Sequence, residues 1–279
     1  MEIKALCDTG WSEVYKAFSL AFADYEVQVN ELQWQAMMRR RGFQPQLSFG
    51  AFDGDKLVAF TLNGIGEFGG IPTAYDTGTG TAIEYRKQGL ATRIFEYSLP
   101  YLREAGIRQY LLEVLKHNTG AVSVYRNLGF EVTREFNYFG QVNEAVHLPA
   151  SSCEVKEVDV DMCLSVSGFC DFPPSWQNDF SSIKRALEGF LCLGAFIENR
   201  LSGYCIFEPV SGDVTQLAVE SQLRRQGIGS ALLREAVKQN RHTAIKVINT
   251  DTACTCITNF LKAKNIELKG QQFEMVKTL

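Results

Sequence analysis

Apolar and polar positions follow the same order of patterns twice along the chain. Residues 2–6 alternate as a short strand, and residues 11–25 and 30–41 carry apolar side chains at three- and four-residue spacing, which predicts two helices. Residues 47–52 and 57–62 alternate around Asp53-Gly54-Asp55, the pattern of a hairpin with a glycine-bearing turn. A strand over 72–83 leads through a loop into a helix from about 89 to 105. A strand over 109–115, a helix over 119–128 and closing strands over 130–139 and 142–148 follow. The second half repeats this order: strand 154–158, helices within 162–190, hairpin 191–207 turning at Glu198-Asn199-Arg200, and strand 213–219. Helix 229–238, strand 244–249, helix 256–264 and a terminal pair of strands complete it.

The duplication is visible in the residues themselves. Arg86-Lys-Gln-Gly89-Leu-Ala91 recurs 138 residues on as Arg224-Arg-Gln-Gly227-Ile-Gly229, an offset of about half the chain, so the repeat is a whole domain. The 279 residues suit two domains, and His147-Leu-Pro-Ala-Ser-Ser152 reads as the linker. The expected division is 1–149 and 150–279. Strands and helices mixed in this order predict an α+β fold used twice.

Charge and cysteines narrow the partners. Lys and Arg number 28 against 32 Asp and Glu, a net charge of −4, which provides no broad attractive field for nucleic acid or an anionic membrane. Cationic or neutral small substrates fit better. The longest apolar run, residues 191–197, is far short of a membrane span, and Met1-Glu2-Ile3-Lys4 does not resemble a secretory leader, so a cytoplasmic protein is expected. Eight cysteines in such a chain are expected to be reduced thiols. Cys254-Thr-Cys256 is the only close pair and lacks the second pair of a zinc signature, so no metal is expected.

Each glycine loop follows a strand and opens a helix, where backbone N–H groups without intrahelical partners meet the positive end of the helix dipole. That arrangement binds phosphate or pyrophosphate, and glycine lets the ligand approach; a tight strand-to-helix turn would also explain Gly89 and Gly227. Arg86, Lys87, Arg224 and Arg225 would add charge, or be simply solvated. The spacing matches neither the P-loop nor the dinucleotide fingerprint.

With these loops, the run Leu112-Glu113-Val114, Asn118, Ala121, Tyr125 and Gly129-Phe130 resembles the GNAT N-acetyltransferase superfamily, and the whole chain resembles a tandem member. The resemblance implies two domains, each a mixed, mostly antiparallel sheet flanked by helices, with acetyl-CoA as acyl donor and no metal. It implies acyl-CoA contacts from Thr79, Thr81, Lys87, Gln88, Gly89, Leu90, Ala91, Thr92 and Asn118. In the second half the corresponding residues are Leu217, Val219, Arg225, Gln226, Gly227, Ile228, Gly229 and Ser230. Asn118 also suits a helix N-cap.

Transfer to an amine needs a base, oxyanion donors and an acid for the leaving thiolate. By resemblance Tyr125 is the acid, with a core tyrosine as the plain alternative, and Glu113 is the base, with Glu84 as a competitor. Asp76-Thr-Gly-Thr-Gly-Thr81 departs from an apolar cofactor strand because glycine weakens strands, whereas Val214-Thr-Gln-Leu-Ala-Val219 keeps the expected character. Aligning Gly129-Phe130 with Asn265-Ile266 sets Asn249, Cys254 and Leu261 opposite Glu113, Asn118 and Tyr125. The chemistry is therefore expected in the first domain and degraded in the second.

Tyr25, Glu26, Glu31 and Trp34 could line an acceptor pocket for a cationic amine, with aromatics in the core and solvated glutamates as the plain alternative, and Asn137-Tyr138-Phe139 lies where some peptide-acetylating relatives carry paired aromatics. The expected function is acetyl transfer from acetyl-CoA to a primary amine of a small molecule or peptide, by direct attack in a ternary complex. A non-catalytic acyl-CoA sensor or scaffold is the alternative. Aminoacyl transfer from charged tRNA fits poorly with the acidic balance. Edge strands could pair in a homodimer or be satisfied within the tandem.

Overall fold

In the computed structural model, which describes residues 1–25, 28–150 and 153–279, β1 (Glu2–Ala5) leads into α1 (Trp11–Ala21) and α2 (Glu31–Arg41). Asn30 and Gln33 form a reciprocal capping box at the start of α2, and Gly42 ends it at φ 79°, a conformation glycine adopts without a Cβ penalty. Strands β2 (Phe49–Asp53), β3 (Lys56–Phe68) and β4 (Ile71–Thr81) form an antiparallel meander, with Asp53 paired to Lys56 across the predicted Gly54 turn. Then come α3 (Leu90–Glu104), β5 (Gln109–Leu115), α4 (Thr119–Asn127) and β6 (Glu131–Val142).

The second half opens with β7 (Glu154–Glu157), followed by two short helices, α5 (Val160–Ser165) and α6 (Phe180–Arg185). The helices expected within 162–190 form only as these short segments. Pro173-Pro174 lies between α5 and α6, and proline in a helix interior removes a hydrogen bond and clashes with the preceding turn. The antiparallel strands β8 (Leu191–Ile197), β9 (Arg200–Glu208) and β10 (Asp213–Val219) come next. They are followed by α7 (Ile228–Gln239), β11 (Ala244–Asp251), α8 (Thr255–Ala263) and β12 (Glu267–Thr278).

The chain resolves into two compact units that do not follow a single cut. One is Met1–Thr133 with Glu274–Leu279, the other Arg134–Phe273. The linker expected around 147–152 includes residues 151 and 152, which lie outside the described residues. In the first unit the sheet order is β1-β2-β3-β4-β5 and then the end of β12, whose Leu279 N–H donates to Arg108 O at 2.9 Å. In the second unit residues 267–273 of β12 lie beside β6, which pairs antiparallel with β11 from Ala244↔Val142 to Asp251↔Phe136. The order continues through β10, β9 and β8 to β7. Each unit thus takes a strand segment from the far half of the sequence, where closing strands had been expected to stay within their own half.

The first unit packs α1 and α2 on one core, where Trp34 and Met38 have no exposed surface and Phe60 and Leu62 come from the sheet. Trp34 is therefore core, not pocket: Trp11, Tyr15 and Phe18 ring it at centroid distances of 5.5, 5.7 and 6.0 Å. The second unit buries Leu232, Leu233 and Ala236 of α7 against β8 to β11, with Phe139 of β6 in the same core. Burying each such large apolar side chain contributes about 1.5–3 kcal/mol.

Candidate active site

β4 and β5 run parallel and are paired only from Thr73↔Gln109 to Tyr75↔Leu111, so beyond Tyr75 they part. At the parting point β4 carries a bulge: Asn63 faces Asp76 and Leu62 faces Gly78, leaving Thr77 as the extra residue. The Thr77 carbonyl accepts from Arg41 Nη1 at 3.0 Å. Both glycines that weakened the strand prediction have packing reasons. A Cβ on Gly80 would stand 2.7 Å from Phe60 Cζ and 2.9 Å from Ala21 Cβ, and Gly78 already lies against Phe18. The strand runs intact to Thr81 because α1 packs directly on its glycines.

Asp76 is the hub of the opening. Its Oδ1 accepts from the Gly78 N–H at 2.9 Å, and its Oδ2 accepts from Thr79 Oγ1 at 2.8 Å and from the Tyr125 hydroxyl at 3.2 Å. Burial raises its pKa above the ordinary 3.8 despite these hydrogen bonds. Tyr125 is pushed well above 10, by burial first and then by the Asp76 carboxylate, so the phenol carries its proton at physiological pH. Glu113 lies on β5 past the last paired residue and accepts a hydrogen bond from the Tyr75 hydroxyl. Tyr75 and Asp76 are consecutive strand residues whose side chains leave opposite faces. Glu113 and Tyr125 are thus held from opposite sides of β4. Glu84 is exposed, paired with Lys56 at 2.9 Å and lowered in pKa by its backbone and Lys56 hydrogen bonds, which makes it a poor base.

The glycine loop enters α3 with Lys87 at φ 62° and Gly89 at φ 70°. Arg93 N–H closes the first helical bond to Gly89 O, so the N–H groups of Leu90, Ala91 and Thr92 have no intrahelical acceptor. Among the described residues nothing lies within 4 Å of a Cβ placed on Gly89, and free N–H groups at a helix terminus suit a phosphate. Lys87 and Gln88 are exposed beside it, whereas the Leu90 side chain is 2% exposed and only its backbone can serve. Arg86 does not add charge to the loop. Its Nε donates to Thr81 O, and its guanidinium grips Asp24 at 2.7 and 2.8 Å, tying the loop to the residues after α1. Asn118 caps α4, its Oδ1 accepting from Ala121 N–H at 3.2 Å.

The second unit repeats this frame. Its β10 carries a bulge at Thr215, 138 residues after Thr77. Arg225 and Gly227 repeat the positive φ values at 66° and 87°, and Arg224 reaches Val219 O and Asp171 as Arg86 reaches Thr81 O and Asp24. Leu217 and Val219 pack against the core, as does the nearly inaccessible Ile228; Gly229 is small because Phe260 Cε2 would lie 3.3 Å from its Cβ. Ser230 is mostly buried, and Gln226 is exposed.

The polar groups of the first unit's opening are not repeated. Val214 stands where Asp76 does, and Leu261, with no exposed surface, stands opposite Tyr125. The α4 and α8 caps keep the 136-residue offset, but the strand register Asp213↔Lys246 sets Lys246 opposite Leu111. One extra residue is absorbed in β11, where Asn249 has φ 60°, so Ile248 or Asn249 faces the Glu113 position and neither is an acid.

Among the proposed acceptor contacts, Tyr25 is exposed with its ring edge-on to Phe22, and Glu31 accepts from Ser12 Oγ at 2.8 Å. Glu26 lies outside the described residues. Asn137, Tyr138 and Phe139 lie in the second unit on β6, with Asn137 and Phe139 buried. Sequence reasoning missed Asp76, Tyr75 and Arg41. An acidic residue inside a strand was the available signal for Asp76, but its glycine neighbours obscured it.

Comparison with known proteins places this geometry. The model of the acetyltransferase (GNAT) family matches residues 11–130 and 164–255. N-alpha-acetyltransferase 30 of Schizosaccharomyces pombe is 29% identical over 107 residues, a match spanning 34% of this chain and 65% of that protein's length. A tandem GNAT protein from the clavulanic acid biosynthesis pathway superposes with TM-score 0.73 at 12% identity, over 99% of this chain and 98% of its own. A GCN5-related N-acetyltransferase from Sphaerobacter thermophilus gives 0.72 at 12% identity, over 99% and 95%. These structural likenesses establish the fold.

Proposed function

Given that the chain belongs to the acetyltransferase (GNAT) family, we propose that its first unit transfers an acetyl group from acetyl-CoA to a primary amine of a small molecule or peptide, by direct attack in a ternary complex. The observation that carries this reading is the hydrogen bond from Tyr125 to Asp76 at the bulge where β4 and β5 part, with Glu113 held by Tyr75 across the strand.

In this reading the pyrophosphate of the donor substrate lies on the α3 terminus, received by the loop from Lys87 to Thr92, with Asn118 alongside. The pantetheine arm runs along the unpaired edge of β4 at Thr79 and Thr81. Glu113 takes a proton from the acceptor ammonium, directly or through a water, and the freed amine attacks the thioester carbonyl. A β4 backbone N–H steadies the oxyanion as the C–N bond forms and the C–S bond breaks. Tyr125 then turns its hydroxyl from Asp76 to the departing sulfur and gives it a proton; its raised pKa keeps that proton available.

The relative's name, an N-alpha-acetyltransferase, favours a peptide α-amine among the acceptors. For the second unit the reading is acyl-CoA binding without transfer, because its loop is kept while Val214 and Leu261 replace the polar groups.

Calorimetric titration of the full chain with acetyl-CoA tests the first step, followed by thiol release with a panel of amines and peptides. Saturable binding with amine-dependent release is expected. No binding at millimolar donor would overturn the proposal, and binding without release for any acceptor would favour the sensor or scaffold reading.

A further inference from the structure

The second unit replaces two polar or small positions with thiols. Asn118 and Gly120 of the first unit correspond to Cys254 and Cys256, at the start of α8. The change gives up a helix cap: Asn118 accepts from Ala121 N–H, while Cys254 makes no side-chain cap bond. The Sγ atoms of Cys254 and Cys256 instead approach each other at 3.1 Å, and Cys256 Sγ donates to Asp171 Oδ2 at 2.8 Å. The three donor atoms all lie within 4.8 Å of one another. Asp171 comes from 85 residues before Cys256, which is why the cysteine spacing alone did not reveal a third ligand.

The carboxylate is also oriented differently from its counterpart. In the first unit Asp24 gives both oxygens to Arg86, at 2.7 and 2.8 Å. In the second, Arg224 takes Asp171 Oδ1 at 3.0 Å and leaves Oδ2 to the Cys256 thiol. We propose that Asp171, Cys254 and Cys256 form a binding site for a divalent, borderline-soft metal ion of the zinc class. Two thiolates and a carboxylate carry three negative charges; a divalent ion and the Arg224 guanidinium balance them. Arg224 would serve as the outer partner that orients the carboxylate. Two sulfurs select zinc-class ions over magnesium or calcium, which prefer oxygen. A tetrahedral ion with bonds of about 2.3 Å to sulfur holds its sulfurs about 3.8 Å apart, so the pair opens by about 0.7 Å on binding. Cys256 is exposed, and a rotation of its side chain supplies that opening. Three protein ligands leave one position for solvent.

The test is a titration of the reduced, chelator-stripped full chain with Co2+ alone, then with Zn2+. The site predicts one equivalent of Co2+ with a sulfur-to-metal charge-transfer band, bleached as Zn2+ displaces cobalt. The band is lost in Cys254→Ser/Cys256→Ser, weakened in Asp171→Asn and unchanged in Cys7→Ser, an exposed thiol of the other unit. Circular dichroism of each variant separates loss of binding from loss of fold. Absence of the band in the reduced wild type, or its survival in the folded double variant, would overturn the site. So would a reduced chain that binds neither ion and only closes a Cys254–Cys256 disulfide in air.

Discussion

The two units share a frame and differ in what the frame holds. Each has a bulged strand, Thr77 in one and Thr215 in the other, a glycine at positive φ opening a helix, and an arginine strut from loop to carboxylate. The first fills the parting of its strands with Asp76, Tyr125, Tyr75 and Glu113; the second fills it with Val214, Leu261 and a Gln216 whose amide is engaged by Tyr204 and Asn178. The loop and bulge are set by backbone conformation and survive in both copies. The groups proposed as acid and base belong to individual side chains and are present in one. In the proposed reading the helix terminus is where the donor binds, and the side chains at the strand parting decide whether transfer follows.

The difference can be sharpened by substitution. Glu113→Gln keeps an acceptor for Tyr75 and removes the base, and is expected to lower kcat about a hundredfold, while Asn249→Asp in the second unit leaves turnover unchanged; both follow from steady-state thiol release. Gly89→Val and Gly227→Val force a branched side chain into the left-handed region, at a cost of about 1–2 kcal/mol each. The first should raise KM for acetyl-CoA, and the second should change only donor stoichiometry by calorimetry or the melting temperature.

Asp76 provides a pH signature. Its pKa in the folded chain is raised, so the stability contributed by the neutral carboxyl is present below about 3.8 and lost as pH rises through the folded value. Asp76→Asn cannot ionise. Its advantage over the wild type in denaturant titrations should grow by on the order of 1 kcal/mol per pH unit within that window, then level off. The smallest effect concerns the caps. Asn118→Ala should cost about 1 kcal/mol, and Cys254→Asn should gain a similar amount when measured without metal.

Much of this architecture was legible in the sequence. Strands 109–115 and 213–219 form over the predicted residues, and the repeated loop took the same conformation twice, because alternation and glycine placement are local signals. The traded strand segments were not legible. Neither β6 nor β12 alternates cleanly between buried and exposed positions, and nothing local in residues 134–142 names β11 as their partner. Trp34 was open to either pocket or core and is core, since helical spacing alone does not say which aromatic faces inward. At the candidate site the motif singled out Glu113 and Tyr125, whereas Asp76, which accepts from the Tyr125 hydroxyl, comes into view only in the fold that brings α4 over the bulge.

The most direct test of a single catalytic unit compares kcat for Tyr125→Phe and Leu261→Ala. A fall of at least about a hundredfold is expected for the tyrosine variant, measured where the chain stays folded. Normal turnover is expected for the leucine variant at temperatures where the chain stays folded, after a core loss of about 2–5 kcal/mol. Wild-type turnover in Tyr125→Phe, with a folded but inactive Leu261→Ala, would contradict the proposal and place the chemistry in the second unit.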